Sequence, residues 1–390
     1  MKENIVYILS MSGDLERIMN SFRGYYKSEA PQQGNVLNLK FGSVQMNITV
    51  FTKHAENEYV ESQLKKIRDY FFGIKTAMNN VRINLLYQIP RFISFIPVRY
   101  IYSDEAENQR IRSDLLRIMS LTESLMITGN GTTFVNSSDE IILSGSAEPQ
   151  VRTFIPFKNY DAVSFGEGST PEQIQRRSKS IDFLSSYGIY VLESLPLIES
   201  ESECAFRTAE QAACRMTALL ACALYSECLY WEKMPVREAR EYVDRTLGYF
   251  GFREYLSQKE RQFLTAENPS ESEITVYSWQ YENLFVLLWA LGFEDTLFFP
   301  EKICDVASAV KRTASFSSLS EIIAYSKMRP NAEILDEADL IYRLDWACVN
   351  AAVNNLGEIS GVNSGVVRER HKSLNWLIGL GDWDNVDIST

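Results

Sequence analysis

Residues 208–231 read TAEQAACRMTALLACALYSECLYW. Thr208 and Gln211 stand three apart, the spacing at which a threonine hydroxyl and a glutamine amide each satisfy an amide hydrogen of the first turn. A long helix is therefore expected to run from here to about Trp231. The same kind of start recurs on either side. Thr170, Pro171 and Gln173 supply an N-cap, a first-position proline and a box partner, and Gly188 can end that helix. Ser257 with Glu260 makes another box. A helix around Trp279 should end at Gly292, and one after Pro330 and Asn331 should reach about Asn354. The last spans 366–378, with Gly379 and Gly381 beyond it. Residues 171–390 thus read as an all-helical domain.

Working back toward the N-terminus, the period changes. Residues 5–9 form an apolar run suited to a buried strand, and Asp14 can cap a helix whose apolar face is Leu15, Ile18, Met19 and Phe22. Strands at 36–41 and 44–51 flank Gly42-Ser43, a two-residue hairpin signal. Val60, Leu64, Ile67 and Phe71 share a helix face, and a further helical stretch stops at Pro90. Residues 92–102 read as a strand whose Pro97 suggests an edge or a bulge. Ile111, Leu115, Ile118 and Met119 make another helix, before short strands at 125–128, 133–135 and 141–143 and a turn at 129–131. Residues 1–145 are an α+β sandwich on this reading. Residues 146–170, with Pro149, Pro156, Gly166 and Gly168 but also Phe154, Phe157 and Phe165, form a linker or strap.

Composition narrows the class. The 390 residues carry a formal charge of −12, with 45% hydrophobic residues, enough for a core. Residues 1–165 hold 18 basic and 17 acidic side chains, whereas residues 166–390 hold 21 and 34. An acidic second half argues against a general phosphate-binding surface, so nucleic acid ranks low as a partner. The most apolar stretch, 284–299, is broken by Gly292, Glu294 and Asp295, so no membrane span is expected. The short run at 5–9 does not make a secretory signal. A cytoplasmic protein with reduced, buried cysteines is the expectation, since none of the six makes a C-x-x-C pair. With two histidines in the chain, no metal and no cofactor are expected.

The candidate site lies in the helical half. Positions 279, 282, 286 and 289 fall on one stripe, so Glu282 interrupts Trp279, Val286 and Trp289. A carboxylate there needs a cationic or hydrogen-bonding partner. Leu335, Ala338, Tyr342, Val349 and Val353 are read as the packed face of the helix at 331–354, beside a second stripe of Asp339, Arg343, Trp346 and Asn350. The last helix adds Glu369 and Arg370, and Arg207 precedes the capped helix. Arg207, Glu282, Arg343, Glu369 and Arg370 could meet at one interface, with Trp279, Tyr342, Trp346 and Trp383 as walls. Two readings stay open: a pocket for a small anionic or aromatic ligand, or a salt-bridge network fixing helix register. His371 is read as a surface or rim histidine. Arg82, Arg91 and Arg99 among Tyr87, Tyr100 and Tyr102 are read as solvated arginines on a sheet face.

The order of segments is itself informative. Arg176-Arg177-Ser178, Tyr187-Gly188-Ile189, Arg207-Thr208-Ala209-Glu210, Trp279-Gln280-Tyr281-Glu282, Leu288-Trp289-Ala290-Leu291-Gly292, Glu333-Ile334-Leu335-Asp336, Val366-Val367-Arg368-Glu369-Arg370 and Trp383-Asp384 follow one another. This series resembles the bacterial family known as domain of unknown function 4272, over roughly residues 172–390. The resemblance implies an all-helical domain with no established activity and no cofactor. The functional expectation is a binding or protein-interaction module, for a protein partner or a small anionic ligand. The alternative is a metal-independent enzyme acting on a small anionic substrate through the Glu/Arg/Trp cluster.

Overall fold

The computed structural model describes residues 1–26, 32–128, 131–157 and 169–390. The turn residues 129 and 130, and Phe165 of the strap, lie outside the described residues. Two compact units emerge: one made of residues 1–163, 185–193 and 351–360, the other of 164–184, 194–350 and 361–390.

The first unit is an antiparallel sheet with helices. Its strands are β1 (Lys2–Ser10), β2 (Gln32–Gln33), β3 (Val36–Phe41), β4 (Val44–Thr49), β5 (Phe51–Thr52), β6 (Ser94–Tyr102), β7 (Ser124–Thr128), β8 (Thr133–Val135) and β9 (Ile141–Leu143). They run in the order β2-β3-β4-β6-β1-β7-β8-β9, and the two-residue β5 joins β6. The helices are α1 (Leu15–Tyr26), α2 (Lys53–Gly73), α3 (Asn80–Gln88) and α4 (Glu105–Thr122). Asp14 caps α1 as expected, its Oδ1 accepting from the Arg17 amide at 2.9 Å. The Gly42-Ser43 hairpin forms in register, with Phe41 opposite Val44.

Alternation decides the layers. Val6, Ile8, Ile96, Val98, Leu37 and Leu39 meet Ile18, Met19 and Phe22 of α1 and Ile111, Leu115 and Met119 of α4 in one core. The opposite face carries Tyr7 stacked on Phe95 and Phe134 against Phe71 of α2. Pro97 is not at an edge: β6 lies between β1 and β4. On the β4 side, β4 pairs residues 98–101 and β5 pairs residues 94 and 95. The proline falls at the break between them, where no ladder donor is required. Nor is Arg82 solvated. It is fully buried and donates to the carbonyls of Phe71, Phe72, Ile74 and Thr76, closing the C-terminal end of α2.

The second unit holds α5 (Pro171–Ser186) and α13 (Asn331–Val353) apart from their last few residues, together with α6 (Ala209–Tyr230), α7 (Val236–Leu247), α8 (Gln258–Thr265), α9 (Glu271–Ser278), α10 (Gln280–Ala290), α11 (Val306–Ala314), α12 (Leu319–Tyr325) and α14 (Ser364–Leu377), with no strand among the described residues. Capping boxes start α6 and α8 at Thr208 and Ser257. The central helix is α6, which packs against α7, α9, α10 and α12. Its mean hydropathy of 1.3 over 18 residues would suit a membrane span, but 89% of that window is buried inside the protein. A helix apolar all round is what a bundle centre requires.

Two expectations about these helices need correction. The helix around Trp279 is two helices: Trp279 ends α9 and begins α10. On α13, Val349 and Val353 are exposed, whereas Asp339 and Arg343 are buried. The polar stripe faces inward because each of its two charges carries its own partner, four residues away. The expected stop at Gly292 holds: φ is +78°, and a Cβ there would meet the Lys327 carbonyl at 2.6 Å.

Candidate functional site

The sequence-predicted residues divide into groups. Arg343 is fully buried and binds Asp339 through two hydrogen bonds, of 2.9 and 2.7 Å. Arg207 donates to the carbonyls of Trp376 and Gly381, at 3.2 and 2.7 Å, and lies over the Trp376 ring. It thereby holds the C-terminal end of α14. Tyr342 and Trp346 are half-buried, and Tyr342 lies beside the His371 ring. His371 is not at the surface: it is buried, with Nδ1 2.8 Å from Asp345. Trp383 walls a different pair, the buried Arg215–Glu260 bridge, with the Arg215 guanidinium over its ring. The charged groups among these are thus paired with groups of the protein itself.

A second group does converge. Glu282 sits in the first turn of α10, where the helix dipole favours a carboxylate. Its Oε1 accepts from the Cys304 amide at 2.5 Å. Its Oε2 lies 3.9 Å from Arg370 Nε, too far for a hydrogen bond, and has no hydrogen-bond partner. Arg370 spends Nη1 on the Phe298 carbonyl, 2.5 Å away. Glu337 also acts on Arg370, so one guanidinium serves two carboxylates. Burial pushes the Glu337 carboxyl up to about 7, against the pull of Arg370. Glu369 accepts from Asn283 at 2.5 Å, and its carboxyl is raised by burial.

Glu282 also lines a cavity of about 400 Å³. The C-terminal turn of α6 supplies Ser226, Glu227, Tyr230 and Trp231; the α9–α10 junction supplies Ser278, Trp279 and Tyr281; Ile303 and Val306 complete the wall. Trp279 is held by a close approach, since a Cβ on Gly365 would meet its ring at 2.7 Å. The Tyr281 hydroxyl donates to Glu227 Oε2 at 2.5 Å, and burial followed by this carboxylate raises its pKa. Tyr230, Trp231 and Ile303 are exposed around the opening, Trp231 at 73%. The lining thus joins two carboxylates to four aromatic rings and contains no lysine or arginine. Carboxylates and π faces both attract cations, and so does the carbonyl end of a helix.

Of the nine candidate residues, this cavity takes up Trp279 and Glu282, with Arg370 behind Glu282. Glu227, Tyr281, Tyr230 and Trp231 escaped sequence reasoning. An exposed Tyr-Trp pair at a helix end was the available signal; the partnership of Glu227 with a residue 54 positions away had none. Among the described residues, no group of three or more His, Cys, Asp or Glu side chains is placed to hold a metal ion. All six cysteines are free, with Cys222 and Cys228 buried and the other four half-buried.

The model of the family described as domain of unknown function (DUF4272) matches residues 176–386, more than half of the chain, which therefore belongs to that family. No curated protein and no solved structure matches.

Proposed function

We propose that this member of the DUF4272 family is a binding protein whose helical unit seats a cationic group in the cavity beneath Trp279. The cation would be an ammonium, a methylated ammonium or a guanidinium. The observation that carries this reading is Glu282 Oε2. The residue is only 2% exposed and lines a cavity rich in aromatic rings, and this oxygen has no hydrogen-bond partner, its one charged neighbour being Arg370 Nε at 3.9 Å. A buried acceptor without a donor is costly, and a ligand N–H supplies one. Aromatic faces add about 0.5–2 kcal/mol for a desolvated cation. The exposed Trp231, Tyr230 and Ile303 favour a cation carried on a larger molecule, such as a lysine or arginine side chain of a protein partner. A cytoplasmic setting, with the cysteines reduced, fits this role.

The enzymatic alternative has weaker support. Arg207, Arg343 and Arg370, the intended anchors of an anionic substrate, do not line the cavity. The Cys304 thiol is pushed up by burial and by Glu282, the reverse of what a nucleophile needs.

The test is calorimetric titration of the full chain with choline, tetramethylammonium, cadaverine and a blocked arginine amide. Saturable binding of at least one, lost in Trp279→Ala, supports the reading. Absence of binding by every cation, with the wild-type chain folded, sinks it.

A further inference from the structure

A second cavity, of about 420 Å³, lies in the first unit. Its floor is apolar, made of Leu64, Leu86 and Leu356, all buried. Its walls carry Lys53, Lys65, Arg68 and Arg91 against one carboxylate, Glu61. Lys65 is engaged with Asp69 at 2.6 Å. The other three cations face the space from two directions: Lys53 and Arg68 from α2, Arg91 from the turn that follows α3.

Two of them are held in place. Lys53 Nζ donates to the Pro90 carbonyl at 2.7 Å, which uses one of its three hydrogens. Arg91 donates to the Tyr87 carbonyl at 2.5 Å, and its guanidinium lies over the Tyr87 ring. Tyr87 in turn packs on Tyr190. The pKa values of Lys53 and Arg91 are both lowered mainly by burial; Glu61 offsets this at Lys53 and Tyr87 and Tyr190 at Arg91, with smaller lowering of Lys53 by Arg91 and of Arg91 by Arg68. Positioned, mutually repelling cations around a concave, partly apolar space form a receptor for a multiply charged anion.

We propose that this cavity is a binding site for a compact phosphate-bearing anion, held by Lys53, Arg68 and Arg91. The Tyr87 face is already covered by Arg91, so the site selects for charge rather than for an aromatic base. Its concave form and small volume favour a small molecule over a polynucleotide.

The probe is inorganic pyrophosphate, titrated calorimetrically into the full chain at low ionic strength. The expected result is one saturable site that weakens as salt is added. Lys53→Met and Arg68→Ala should each reduce the affinity by about tenfold or more, the loss typical of removing a charged hydrogen-bonding partner. Arg68 is half-buried and is not among the buried core residues of α2, so its variant tests the site with little loss of core. Glu282→Gln should bind pyrophosphate as the wild type does, which separates this site from the cavity in the helical unit. Absence of saturable binding, or an affinity unchanged in the Lys53→Met/Arg68→Ala double variant with native circular dichroism, overturns the assignment.

Discussion

The two cavities are nearly equal in volume and opposite in chemistry. The one in the helical unit is lined by Glu227, Glu282 and four aromatic rings; the one in the α+β unit is lined by four cations and a single glutamate. The contrast teaches where each unit spends its arginines. In the helical unit Arg207, Arg215, Arg343 and Arg370 bind carbonyls or carboxylates of the protein itself. In the α+β unit Arg82 is spent in the same way, but Lys53, Arg68 and Arg91 keep donors facing an open space. What separates the two sets is location: Lys53, Arg68 and Arg91 line an open space, although Lys53 and Arg91 each give one hydrogen to a protein carbonyl, whereas Arg207, Arg215, Arg343 and Arg370 do not line the helical unit's cavity.

The largest test of this contrast is Arg343→Ala. It would leave Asp339 buried without its cation, so urea unfolding should show a loss of about 3–5 kcal/mol. A variant as stable as wild type would mean the arginine is not scaffolding, and the distinction collapses. Next is Gly365→Ala. Its methyl group would press on the Trp279 ring, and overpacking of this kind costs about 1–3 kcal/mol. Cation affinity should fall with it, whereas pyrophosphate affinity should not.

Glu282→Gln sharpens the comparison from the other side. The amide keeps an oxygen for the Cys304 N–H, so stability should change by no more than about 1 kcal/mol while cation binding drops about tenfold. A strong loss of stability would return Glu282 to the structural set. Trp231→Ala should be milder still, within about 0.5 kcal/mol, because the ring is exposed; its effect belongs in the affinity for a partner.

A further expectation concerns pH dependence. Glu337 has its carboxyl raised to about 7 in the folded chain, so between its ordinary value and 7 the folded state holds the proton more tightly. Stability should therefore decline as pH rises through that window and level off above it. Melting temperatures of the wild type and Glu337→Gln, compared across the window, check this. The glutamine variant should lack the decline.

Much of the architecture was legible in the residues. Capping boxes at Thr208 and Ser257, the hairpin at Gly42-Ser43 and the helix face around Val60 and Leu64 are local, and local rules found them. Errors arose where a remote partner overrode local pattern. Pro97 sits inside the sheet because its neighbour changes from β4 to β5. His371 and Arg82 are buried because Asp345 and the carbonyls at the end of α2 receive them. In the candidate cluster, periodicity marked Glu282 as a carboxylate on an apolar stripe, but could not say which cations would stand near it.

The sequence by itself determined that an α+β region precedes a helical one, where most elements start, and that the second half is acidic. These follow from side-chain period, caps and charge, which act over a few residues. The tertiary structure alone decided that residues 185–193 and 351–360 join the first unit. It alone decided that Glu227 meets Tyr281 across 54 positions, and that Lys53, Arg68 and Arg91 share one cavity. Those outcomes depend on which groups pack within a few ångströms of one another, and hydrogen bonding and burial at that range leave no trace in the spacing of residues along the chain.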